Sequence, residues 1–146
     1  MARSWQRLQI VLTLAEREER TAGSDLEQAR RQLCTEEQQL EQLHRYRRDY
    51  TARIDDRRQG LRAEALIADR DFLHRLCHIE SAQLSTVQRR RRHVEGLQQI
   101  WQQKHHYTKA VAQWLERLRR AETRELDQRE QRLLDDLVTR TLGRET

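Results

Sequence analysis

A chain of 146 residues with no proline, four glycines, 36% charged and 36% hydrophobic residues is too polar to fill an ordinary globular core, and its mean hydropathy is -1.09. It is built almost wholly from helix formers, so it is not disordered; the apolar minority must lie along one narrow seam. The formal charge is +5, and two cysteines are too few for a disulfide framework, which fits free thiols in a reducing compartment.

The N-terminal run Ile10 to Leu14 is soon interrupted by Glu16, so it reads as neither a signal peptide nor a membrane span, and a cytoplasmic location is expected. From Trp5 a heptad repeat starts. Its a positions are Trp5, Leu12, Glu19, Leu26, Leu33, Leu40, Arg47, Ile54 and Leu61, and its d positions are Leu8, Ala15, Ala22, Ala29, Glu36, Leu43, Tyr50 and Arg57. Thirteen of these seventeen are apolar with no phase shift, which is a strong coiled-coil signal. The phase is lost near Gly60, within residues 57 to 64, and a break is expected there. Gly23 and Gly96 lie inside helices and need not end them.

A second seam runs Leu73, Leu76, Glu80, Gln83, Val87, Arg90, Val94, Leu97, Trp101, Lys104, Thr108, Val111, Leu115, Leu118. After Leu118 the spacing passes through Glu122 to Leu126, Leu133 and Leu137, a four-residue insertion that unwinds a left-handed supercoil. The expected fold is all-α: a long two-helix antiparallel coiled-coil hairpin, forming one domain over 1–146. Helix 1 is expected over about 3–57, a connection over about 58–65 and helix 2 over about 66–142. Residues whose numbers sum to about 123 then face each other. Under that rule Trp5 meets Leu118, and Ala121 to Leu142 overhang the first helix with Leu126, Leu133 and Leu137 unpartnered. Such a stripe implies a partner.

The same rule sets Tyr46 and Tyr50 against the segment DFLHRLCHIESAQ, where a stripe of Phe72, Leu76, Ile79 and Gln83 repeats the 4, 3, 4 spacing of Gln39, Leu43, Tyr46 and Tyr50. Both stripes leave the main seam, at Tyr46, Phe72 and Ile79, so a composite apolar and aromatic patch is expected. A patch of this kind rimmed with charge marks a protein-binding site. The plainer alternative is that Leu43, Tyr50, Phe72 and Leu76 cap the core near the connection.

The order Q-x3-L-x2-Y-x3-Y (Gln39 to Tyr50), then F-x3-L-x2-I-x3-Q (Phe72 to Gln83), then a second helix bearing Trp101 and Trp114, resembles the flagellar type III export protein FliJ family over nearly the whole chain. The resemblance implies a coiled coil similar to the central stalk of rotary ATPases. It implies as partners the hexameric flagellar export ATPase, bound through the end carrying the termini, the export-gate membrane protein, bound through the two tetrads, and export chaperones. Carried over by position, the gate-binding residues are Gln39, Leu43, Tyr46, Tyr50, Phe72, Leu76, Ile79 and Gln83. Ile79 stands where the family also has a smaller residue, and Gln83 where it also has His. The termini fit independently: Trp5, Leu8 and Leu12 beside Leu126, Leu133 and Leu137 form the expected ATPase-binding set. The location implied is cytoplasmic, peripheral to the inner-membrane export apparatus, with no direct membrane insertion.

Other signals are weaker. His74, Cys77 and His78 lie within one turn, with His44 roughly across, but a convincing fourth ligand is missing, and no metal or other cofactor is expected. Four of the five net charges fall in residues 61 to 118, chiefly at Arg89 to Arg92. That run raises one rival reading, a basic coiled-coil nucleic-acid-binding protein; another is a generic scaffold or spacer whose aromatics are merely core. Four consecutive helical residues point around the whole circumference, so they form no groove-facing stripe, and nucleic acid is not expected as a partner. Without a glycine-rich phosphate loop, a strand for a nucleophile or a concave pocket, no enzyme activity is expected.

Overall fold

The computed structural model describes residues 4–57 and 63–144. Among them two α-helices, α1 (Ser4–Asp56) and α2 (Ala63–Arg144), account for all but Arg57, and there is no strand. α1 closes on a bifurcated turn in which the Arg57 amide donates to the carbonyls of Arg53 and Ile54, both at 3.1 Å. α2 begins at Ala63, a turn earlier than residue 66. Most of the expected connection, including Gly60 and the a position Leu61, lies outside the described residues.

The heptad pattern decides which side chains leave water. Every a and d position of α1 from Trp5 to Ile54 is buried or half-buried, and Arg57 alone of those described is exposed. On α2 the same holds for every seam position from Leu73 to Leu118. Val87 is fully buried.

The described residues form two compact units, each holding a segment of both helices. In the first, residues 1–21 and 102–146, Leu12 packs with Val111 and Leu115, and Trp5 and Leu8 cover them. The Arg119 guanidinium lies 5.0 Å from the Trp5 ring centre, a cation–π contact that closes this core. Lys104 donates to Glu18 at 3.0 Å and Arg119 to Gln9 at 3.0 Å, so partner numbers fall on one helix as they rise on the other and the pair is antiparallel. From Thr123 to Arg144 every residue is exposed.

In the second unit, residues 22–101, Leu26, Ala29 and Val94 form the core, with Leu33, Leu97 and Trp101 against it. Cross-helix bonds from Tyr50 to Asp69, Arg47 to Glu80 and Arg90 to Gln32 again run antiparallel, within five of the pairing sum of about 123. Gly23 lies directly under Trp101: a Cβ there would meet the indole Nε1 at 3.3 Å and Cδ1 at 3.4 Å. At Gly96 a Cβ meets nothing within 4 Å. Gly96→Ala is therefore expected to stabilise by about 1 kcal/mol, the helix-propensity gain, and Gly23→Ala by clearly less because the indole must give way. Urea melts of the two single variants, followed by helical circular dichroism, check the order.

Candidate functional site

The two tetrads lie on facing helices of the second unit, and the structure sorts them by depth. Leu76 is buried; Leu43, Tyr50, Phe72 and Gln83 are half-buried; Gln39, Tyr46 and Ile79 are exposed, the last two by 51% and 54%. The rings form one cluster. Tyr50 and Phe72 have centroids 4.6 Å apart, Tyr46 meets the Phe72 edge at 6.2 Å, and Tyr46 stacks on Tyr50 at 6.5 Å. The core-capping and surface alternatives therefore divide the set between them. Leu43, Leu76, Tyr50 and Phe72 are the withdrawn members, with the Tyr50 and Phe72 rings in contact, whereas Tyr46 and Ile79 present apolar surface to solvent.

Polar groups tie this cluster to both helices. The Tyr50 hydroxyl donates to Asp69 Oδ1 at 2.6 Å, and this bond, followed by burial, holds the Tyr50 pKa above its ordinary 10.0. A raised tyrosine pKa favours the neutral phenol in the fold, so the stabilisation is present below pH 10 and is lost as pH rises through the raised value. In an ultraviolet titration Asp69→Asn is expected to bring one of the three tyrosines back toward ordinary ionisation. A titration superimposable on wild type would show that the carboxylate does not govern Tyr50.

On the same pair of helices sits Glu80, a carboxylate only 8% exposed. Arg47 Nε donates to its Oε1 at 2.7 Å, and His44 Nδ1 lies 3.1 Å from its Oε2. An ionised carboxylate only accepts, so the histidine nitrogen is the donor. Gln83 Nε2 donates to Glu36 Oε2 at 2.6 Å and to the Glu36 carbonyl at 3.0 Å, and reaches Gln39 Oε1 at 3.5 Å. Gln83 thus spends its amide on α1, while Gln39 keeps an exposed edge.

The residues expected at the termini also divide. Leu12 is buried and Trp5 and Leu8 half-buried within their own unit's core, whereas Leu126, Leu133 and Leu137 are between 58% and 64% exposed. Leu134, Val138 and Leu142 are as open, widening the stripe into a broad apolar face that the heptad positions alone did not mark. Also missed was a groove in the same unit lined by Val11, Leu14, Ala15, Glu18, Lys104 and Tyr107. The exposed Val11, Leu14 and Tyr107, apolar residues off the main seams, were the signal for it.

In the second unit, Arg89 donates to Thr86, Arg90 to Gln32 and Arg91 to Glu37, so three members of the arginine run are engaged within the chain. His74 and His78 meet edge to face at 4.8 Å, while His44 is committed to Glu80. Among the described residues no three His, Cys, Asp or Glu side chains are grouped to hold a metal ion. Cys34 and Cys77 are exposed free thiols.

Compared with known families, residues 4–146 match the one described as Flagellar FliJ protein. The chain belongs to the FliJ family. No curated protein and no solved structure matches it. Membership makes it a flagellar export-related protein and agrees with the two-helix, strand-free fold. Among the described residues of this FliJ-family chain, no helix is long and apolar enough to cross a membrane.

Proposed function

We propose that this FliJ-family chain is a non-enzymatic coupler of the flagellar export apparatus, peripheral to the inner membrane, that engages the hexameric export ATPase through one surface and the export gate through another. The observation that carries the reading is the presence of two unlike apolar surfaces, one in each unit. The helical face bearing Leu126, Leu133 and Leu137 has no cover along its length, and a ring of subunits offers an apolar-striped helix a place to bury it. The Tyr46–Tyr50–Phe72 cluster is a smaller platform, withdrawn at Tyr50 and Phe72 and open at Tyr46, suited to a folded domain of the gate. The buried Leu12 and half-buried Trp5 and Leu8 belong to the Leu12–Val111–Leu115 core before the exposed face, and Leu43 and Leu76 lie deeper than Tyr46 and Ile79 in the second unit. Export chaperones belong to the same reading as transient cargo, with the groove at Val11, Leu14 and Tyr107 as their place.

The test is affinity capture of the ATPase and of the gate's cytoplasmic portion by two variants. Leu126→Ala/Leu133→Ala/Leu137→Ala is expected to lose the ATPase alone, and Tyr46→Ala/Phe72→Ala the gate alone. A chain in which each variant keeps both partners is not a coupler of this kind.

A further inference from the structure

A seam of leucines, valines and alanines repeats every seven residues, so by itself it accepts a partner helix displaced by one heptad almost as readily as the native one. The interruptions of the seam are what distinguish the registers. In the second unit the polar interruptions of one helix meet those of the other: Arg47 with Glu80, and Glu36 with Gln83. Glu80 is the deepest charge among the described residues, and its two oxygens are taken separately by Arg47 and His44.

We propose that Glu80, gripped by Arg47 and His44, is a register lock: a positioning residue that holds α1 and α2 in the one alignment that assembles the Tyr46–Tyr50–Phe72 cluster. By the antiparallel pairing, a heptad slip in one direction sets Glu80 opposite Glu36, and in the other opposite Tyr50. The first strips the buried carboxylate of both partners and adds a like charge; the second carries His44 away and moves Arg47 to the other side of Glu80. The same slip translates the helices by about 10 Å, which pulls apart the Tyr50 and Phe72 rings now 4.6 Å from centre to centre. Glu80 touches no partner in this scheme. That the lock also controls gate binding rests on the function proposed above; the lock itself does not.

The chain carries its own reporters. Cys34 on α1 and Cys77 on α2 are exposed, free and on opposite helices of the same unit, so spin labels on these native thiols read the register by double electron–electron resonance. The wild-type chain is expected to give one distance. Arg47→Leu/Glu80→Leu replaces the ion pair with apolar groups and is expected to stay helical, melt no lower than wild type, and show a second distance displaced by up to about 10 Å. Glu80→Ala, which removes the carboxylate without adding bulk, is expected to split the distance in the same way, so one variant still decides if the other fails to fold. Glu80→Gln, which keeps an acceptor for Arg47, is expected to hold a single distance. A single wild-type distance in whichever of the Arg47→Leu/Glu80→Leu and Glu80→Ala variants fold overturns the lock. A split distance with undiminished capture of the gate leaves the lock standing and removes the cluster's docking role.

Discussion

Under the function proposed above, replacing Leu126, Leu133 and Leu137 by alanine is expected to leave the chain as helical as before and to weaken binding of the export ATPase by at least about 100-fold. The first half follows from exposure: all three side chains are more than half open to solvent, and alanine is the best helix former, so surface changes of this kind move stability by only about 0.5 kcal/mol each. The second half follows from burial on binding. A leucine taken fully out of water contributes about 1.5–3 kcal/mol, and losing most of that at three positions exceeds the roughly 2.7 kcal/mol that corresponds to 100-fold. Removing everything after Ala121 is expected to do the same while leaving the Leu12–Val111–Leu115 core intact, because that core lies wholly before the cut. Fluorescence anisotropy with purified ATPase, beside circular dichroism, measures both halves. Undiminished affinity in the truncated chain would place the ATPase contact elsewhere.

The second large effect is expected at the aromatic cluster, and here stability and binding separate by residue. Tyr46 is half exposed and rests on Tyr50 and Phe72, so Tyr46→Ala alone is expected to cost under about 1 kcal/mol of stability. Phe72 is half-buried against Tyr50, and Phe72→Ala is expected to cost about 2 kcal/mol, less than the 3–5 kcal/mol of a fully buried ring. Neither loss unfolds a coil with stability in the usual range of about 5–15 kcal/mol. Centrally placed aromatics at an interface typically contribute at least about 2 kcal/mol each, so the double variant is expected to bind the gate about 100-fold more weakly or worse. Calorimetric titration of the gate's cytoplasmic portion with Tyr46→Ala, Phe72→Ala and the double variant reads this directly. Were Phe72→Ala to weaken binding while Tyr46→Ala did not, the cluster would act through its packing rather than its open face.

Much of this was written in local spacing. The positions that leave water, from Trp5 to Ile54 on α1 and from Leu73 to Leu118 on α2, are those of an unbroken heptad, because burying a stripe on a 3.6-residue helix needs only near neighbours in sequence to agree. The same arithmetic brought the two tetrads to facing helices. Spacing also set Leu126 beyond the end of the first helix, and it lies open while Leu12 is core, because burial depends on whether a second helix runs alongside. What spacing did not carry is depth and the particular side chains that meet. Glu80 reads in the sequence as a flaw in the seam. Only across the helix pair, where Arg47 and His44 reach its two oxygens, does it gain its partners, since a buried charge takes its meaning from the charge brought to it. Gly23 likewise reads as a weak helix position until Trp101, distant in sequence, is laid over it. Periodicity determined that there are two helices, which faces they bury, roughly how they pair and which leucines overhang; side chains meeting over long sequence separations decided the contacts that fix the register and the depth of each residue in the aromatic cluster.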